Sequence, residues 1–256
     1  MHPSVHNSHG FRSARSRCQI VGTGAVGAFY GSRLALAPHT LVSVTCRSNY
    51  AQVASSGLSL HTHSYGNYHF HPHAVYPSIA EAVRTGKAPR WDYIVVATKA
   101  LPDVASDAEL IAPLLEGQGG AGEEDQTETA GTTIVLIQNG VGVERAHRER
   151  FPRNVVLSAV TVVSAEQTLP GVVRQNRWTR ISVGPFVHGD GDAGEGDGEL
   201  KERSRRSNEK FVRLLREGGV DDAEEYDEVG LQLVRWHKLA VSLPPLSFLP
   251  SPPLSR

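Results

Sequence analysis

Continuous apolar runs alternate along the chain with segments of helical period. The runs at 18–21 (CQIV), 41–46 (LVSVTC), 93–97 (YIVVA) and 133–137 (TIVLI) are rich in Val and Ile. Such runs mark strands buried on both faces of a sheet. Between them, 25–36, 50–55, 79–84 and 103–115 read as helices. This order predicts an α/β protein with a parallel, doubly wound sheet. After residue 154 the pattern changes. Extra strands are expected over 155–163, 172–174 and 179–183, separated by Pro170-Gly171 and polar turns. A basic helix over 200–216 follows, with Phe211, Leu214 and Leu215 on one face, and a last helix over about 227–241.

Two stretches, 117–131 and 188–199, are glycine-rich and acidic with almost nothing to bury, and read as mobile surface loops. Their carboxylates do not match the ligand spacing of a calcium-binding EF-hand. Residues 1–16 lack apolar period and read as a disordered leader. Residues 243–256 are proline-rich, so helix is expected to stop at Ser242. The charges nearly cancel, 26 Lys+Arg against 27 Asp+Glu, which removes the electrostatic case for nucleic acid or an anionic membrane surface. No apolar run approaches the ~20 residues of a membrane span. Two cysteines, Cys18 and Cys46, cannot build a disulfide framework or a four-thiolate zinc site, so a reducing compartment is expected. A cytoplasmic location follows. A mitochondrial one is the alternative suggested by Arg12, Arg15, Arg17 and nearby serines.

The most informative segment is Gly22-Thr23-Gly24-Ala25-Val26-Gly27, set between a strand and a helix. Gly22 allows the tight turn, Gly24 lets a pyrophosphate approach the backbone, and Gly27 lets the helix pack close to the strand. The helix N-terminus then offers free N–H groups and a positive dipole end to the phosphates. This is the dinucleotide signature of a Rossmann-type fold. The second strand ends in Arg47-Ser48-Asn49. NAD-binding folds usually place a carboxylate there for the ribose 2′-OH. A guanidinium instead pairs with a 2′-phosphate, so NADPH is the expected cofactor.

These residues, with Thr98-Lys99-Ala100, Gln138-Asn139-Gly140-Val141-Gly142, the run LSAVTVVSAEQTLPGVV and Trp236-His237-Lys238-Leu239-Ala240-Val241, resemble the ketopantoate reductase (2-dehydropantoate 2-reductase) family over roughly residues 18–242. The resemblance implies NADPH-dependent reduction of 2-dehydropantoate to (R)-pantoate, in pantothenate biosynthesis. It also implies a Rossmann domain followed by an all-helical domain, with substrate in the cleft between them. By resemblance, Gly22, Thr23, Gly24, Ala25, Val26 and Gly27 hold the pyrophosphate, Arg47 the 2′-phosphate, and Lys99 and Ala165 contact the cofactor. Asn139 lies near nicotinamide ribose and substrate, and Lys238 is the catalytic lysine that polarises and protonates the carbonyl oxygen. Ser242 takes the substrate-binding place where the family has asparagine. The residues alone leave alternatives: Arg47 as a solvent-exposed arginine at a strand end, Lys99 as a surface lysine at a strand end, Asn139 as a turn residue, and Lys238 as a solvated lysine on an amphipathic helix.

The expected organisation is therefore a leader at 1–16, an NADP-binding domain at 17–223, the start of a helical domain at 224–242, and a disordered tail at 243–256. The helical domain reads as truncated, and the chain as a shortened product. The outer face of the last helix is then expected to expose Leu231, Leu233 and Val234. An inactive NADP(H)-binding module and a reductase of another small 2-keto acid stand as alternatives, and a homodimer stays open. No tyrosine has a lysine four residues later, against a short-chain dehydrogenase. Histidines 61, 63, 69, 71 and 73 alternate as on one strand face but lack nearby Cys or carboxylate ligands, so no metal is expected.

Overall fold

A run of apolar β-branched residues can be buried on both faces only if helices cover both. The computed structural model describes residues 15–85, 90–101, 106–116, 131–187 and 197–242. In β6 (Tyr93–Val96), Tyr93 and Val95 belong to one buried cluster and Ile94 and Val96 to another. β7 (Thr133–Leu136) divides the same way, with Val135 in the first cluster and Ile134 and Leu136 in the second. The first cluster takes in α1 (Ala25–Leu34) and the apolar face of α6 (Asp197–Glu217), through Phe29, Tyr30, Phe211 and Leu215. The second takes in α3 (Ile79–Thr85) and α4 (Asp107–Glu116), through Ile79, Ala82 and Ile111.

The remaining elements are β1 (Ser16–Val21), β2 (Thr40–Thr45), α2 (Tyr50–Ser56), β3 (Leu58–Thr62), β4 (Gly66–Phe70), β5 (Ala74–Tyr76), α5 (Arg145–Arg150), β8 (Val155–Leu169), β9 (Val172–Pro185), β10 (Ala223–Glu225) and α7 (Glu228–Ser242). One sheet runs β4-β3-β9-β8-β7-β6-β1-β2-β5, with β10 pairing β9. Its centre, β8-β7-β6-β1-β2-β5, is parallel throughout. The chain leaves β1 toward β2 and β5, then returns to β1's other side as β6. That reversal makes the β1/β6 boundary the topological switch point, where ligands bind in open α/β sheets.

The fold departs from the expected pattern at several places. Strands 172–174 and 179–183 are one strand, β9, antiparallel to a β8 that continues to Leu169. The polar stretch between them bulges instead of turning: register shifts occur near Ser164, and Trp178 takes φ 53°. Buried Gln175 holds the irregularity, donating to the Trp178 carbonyl (3.0 Å) and accepting from the His63 N–H (3.1 Å). Ser16, expected in the leader, opens β1, and residues 197–199, expected in a loop, open α6. Of the expected mobile segments, 1–14, 117–130, 188–196 and 243–256 lie outside the described residues.

Leu231 is also corrected. It is buried, because α7 lies against β8 and β9 and a Cβ on Gly184 would meet that of Leu231 at 3.0 Å. Leu233 is exposed as expected, with Val229, Trp236 and Val241 beside it on the outer face, and Val234 is half-buried. Among the described residues, no helix is long and apolar enough to cross a membrane.

Candidate functional site

The glycine turn closes the C-terminal end of β1 and opens α1. Gly22 has φ 94°, and a Cβ there would stand 2.7 Å from the backbone nitrogen of Thr98 at the end of β6. A Cβ on Gly27 would overlap the carbonyl oxygen of Gly22, so the first turn of α1 can lie this close to β1 only with glycine there. Gly24 differs. A Cβ on it would meet nothing within 4 Å, so the turn leaves open space at this point. Gly24 is also the N-cap of α1, and no side chain caps it; there is no acidic residue in the first turn. An uncapped helix end facing open space suits a phosphate.

Two polar contacts fix this turn to the end of β2 and to the start of α2. Thr23, buried, donates from Oγ1 to the Thr45 carbonyl (3.0 Å), and buried Asn49 donates from Nδ2 to the Thr23 carbonyl (3.0 Å). The result is a cleft of about 370 Å³ lined by Gly22, Gly24, Arg47, Lys99 and Gln167 among others. Arg47 and Lys99 stand exposed at its edge.

A second cleft of about 460 Å³ is lined by Val26, Asn139, Val162, Trp178, Arg235 and Lys238 among others. Val26 belongs to the glycine motif, so one turn borders both clefts. Lys238 Nζ donates to Asn139 Oδ1 at 2.7 Å, joining α7 to the loop after β7. Lys238 is half-buried, and its ammonium is held below the ordinary lysine pKa, first by desolvation and then by the Arg235 guanidinium. Behind them, Arg235 and Glu144 form an ion pair at 2.9 Å with both side chains buried. The cleft thus sets an ammonium, a guanidinium and an asparagine amide beside Val26, Val160, Val162 and Val163.

The structure brings Gly22, Thr23, Gly24, Arg47 and Lys99 to the first cleft and Val26, Asn139 and Lys238 to the second. Ala25 and Gly27 lie in the first turn of α1 and line neither cleft. Ala165 is half-buried on β8, between Val163 of the second cleft and Gln167 of the first, and is itself in neither lining. Ser242 closes α7, and its side chain lies outside the described part. Sequence reasoning missed Asn49, Gln138, Glu144 and Arg235. Gln138 donates from Nε2 to Thr98 Oγ1 (3.0 Å) and Asp107 Oδ2 (2.7 Å), bracing the loop that carries Asn139. Its signal was its place directly before Asn139. Arg235 is one helical turn before Lys238, a spacing that puts both on one face. Among the described residues, no three His, Cys, Asp or Glu side chains are grouped to hold a metal.

Residues 18–188 match the family profile of ketopantoate reductase PanE/ApbA. The chain belongs to the ketopantoate reductase family. Two curated relatives are an uncharacterized protein of Saccharomyces cerevisiae, 27% identical over 207 residues, and a 2-dehydropantoate 2-reductase of Nostoc, 24% identical over 225 residues. These alignments cover 78% and 88% of this chain, and 57% and 60% of the relatives. Among solved structures, the 2-dehydropantoate 2-reductases of Methylococcus capsulatus and Geobacter metallireducens are similar, at TM-scores of 0.65 and 0.63 and identities of 26% and 27%. They cover 87% and 88% of this chain, and 60% and 62% of those structures. The chain therefore spans about three fifths of the length of these ketopantoate reductase relatives. Its mixed sheet corresponds to their N-terminal Rossmann-like part.

Proposed function

We propose that this chain binds NADPH across the glycine turn and reduces 2-dehydropantoate to (R)-pantoate, a step of pantothenate biosynthesis. The observation that carries the reading is the 2.7 Å contact between Lys238 Nζ and Asn139 Oδ1, in a cleft bordered by the dinucleotide turn itself. The residues present suit the cofactor. The uncapped start of α1, with open space at Gly24, takes the pyrophosphate; Arg47 takes the 2′-phosphate; Lys99 and Ala165 contact the cofactor. When bound, the dihydronicotinamide supplies a hydrogen with two electrons to the ketone carbon.

The chain's own residues manage the oxygen. Lys238 donates a hydrogen bond to the carbonyl oxygen, polarises it, and transfers a proton as the alcohol forms. Partial desolvation weakens the ammonium's hold on that proton, which eases the transfer. Asn139 fixes the ammonium in place, and Ser242 stands where the family's substrate-binding asparagine would be. In this reading residues 17–223 form the cofactor domain and 224–242 begin the substrate domain, and the protein works in the cytoplasm. Activity as a reductase of another small 2-keto acid uses the same residues, and a panel of 2-keto acids compared by kcat/KM separates the two.

NADP(H) binding without turnover is the second reading, favoured by the exposed Val229, Leu233 and Trp236 on the helix that carries Lys238. Both readings predict NADPH binding, and only the first predicts NADPH oxidation on addition of 2-dehydropantoate.

A further inference from the structure

Arg235 and Glu144 are the most buried ion pair at the second cleft, with side chains only 5% and 1% exposed. Burying a guanidinium is costly before it is paired, and an apolar pair of similar volume is often equally stable. The pair therefore needs a reason beyond stability, and its contacts supply one. Arg235 Nη1 donates to the Gly140 carbonyl at 2.5 Å, and Nη2 donates to Ser158 Oγ. Ser158 Oγ in turn donates to Glu144 Oε1 at 2.5 Å. Arg235 Nε has no partner among the described residues, so the guanidinium is not placed to maximise its own hydrogen bonding.

Gly140 follows Asn139, and Arg235 precedes Lys238 by one helical turn. The contacts therefore close a ring: Lys238 to Asn139, along the backbone to Gly140, across to Arg235, and back along α7 to Lys238. The ring joins two elements nearly a hundred residues apart in the chain, and Glu144 and Ser158 anchor it from α5's N-cap and from β8. We propose that Arg235, locked by Glu144 and Ser158, is a positioning residue that sets Lys238 against Asn139 and holds a fixed positive charge beside the ammonium. This rests on the reading of Lys238 as the proton donor. Lys238 and Arg235 are the charged side chains in the cleft lining; Asn139, Val160, Val162 and Trp178 contribute none, and Glu144 lies behind Arg235.

The test removes the pair as a unit, Arg235→Met with Glu144→Gln, so that no buried charge is left alone. Lys238 is one of five lysines. Reductive methylation with ¹³C-formaldehyde therefore gives a simple NMR spectrum, in which Lys238→Arg identifies its signal. The expected result is a folded protein with unchanged NADPH affinity, a Lys238 titration moved upward toward an ordinary lysine, and kcat on 2-dehydropantoate lowered about 10- to 100-fold. An unmoved Lys238 titration in the folded double variant overturns the proposal. Because that titration needs no turnover, a chain inactive on every 2-keto acid would sink the reductase reading and leave the positioning role to be judged by the titration alone. Should the double variant not fold, Arg235→Lys keeps the charge and loses the two-pronged grip; wild-type kcat in that variant overturns the proposal, and a tenfold or larger loss with unchanged NADPH affinity supports it.

Discussion

Lys238 and Asn139 meet at 2.7 Å although 99 residues separate them in the chain. Neither residue is informative alone: a lysine on a helix is usually solvated, and an asparagine before glycine is usually a turn residue. Their contact gives each the meaning the other lacks. Asn139 Oδ1 can hold the ammonium in one orientation, and the cleft around them is apolar enough to shift its titration.

That shift fixes the sign of a pH dependence. As the proposed proton donor, Lys238 would have to carry its proton to give it away, so turnover is expected to be full below its pKa and to fall as pH rises through it. Because desolvation and then Arg235 lower that pKa, the falling limb is expected below the ordinary lysine value of 10.5. A pH profile of kcat with NADPH saturating checks this, and NADPH affinity should stay flat across the limb.

Arg47 is exposed at the edge of the first cleft, where a 2′-phosphate would sit. Arg47→Asp is expected to weaken NADPH binding about 10- to 100-fold, the size of a lost charge-assisted hydrogen bond, and to favour NADH relatively. Fluorescence titration with each nucleotide reads both effects. Unchanged preference would remove Arg47 from the site.

The glycines at 24 and 27 should fail differently. Gly27→Ala drives a methyl into the Gly22 carbonyl and is expected to cost about 1–3 kcal/mol of stability. Gly24→Ala points its methyl into open space and should cost at most about 1 kcal/mol, while weakening NADPH binding by crowding the phosphate. Thermal melts and nucleotide titrations on the two variants separate packing from binding.

The docking of α7 on the sheet can be tested the same way. Leu231→Ala empties a fully buried position and should cost about 2–5 kcal/mol. Leu233→Ala, two residues on but 67% exposed, should change stability by no more than about 0.5 kcal/mol. Equal effects would mean that the helix does not pack as described.

What the sequence made legible was whatever a local pattern encodes. The Val/Ile runs announced the parallel strands because each buries two faces. The six residues from Gly22 to Gly27 announced the turn because Gly22 and Gly27 answer backbone constraints visible in the spacing, and Gly24 leaves open space between them. The rest depended on contacts between distant segments. The continuity of β9 was hidden because Arg174, Asn176 and Arg177 read as a polar turn, whereas a bulge around Gln175 carries the strand through. Leu231 looked exposed because nothing local says that Gly184 on β9 leaves room for it. Arg235 and Glu144 were invisible as a pair, since only the fold brings α7 onto the loop after β7.

Whether this fold reduces a ketone is decided by 2-dehydropantoate-dependent oxidation of NADPH, followed by absorbance on the purified chain and on Lys238→Ala. Turnover by the chain is expected, with a loss of at least about 100-fold in the variant and nucleotide affinity intact. A folded, NADPH-binding chain without turnover, or a Lys238→Ala variant as active as the parent, would contradict this expectation.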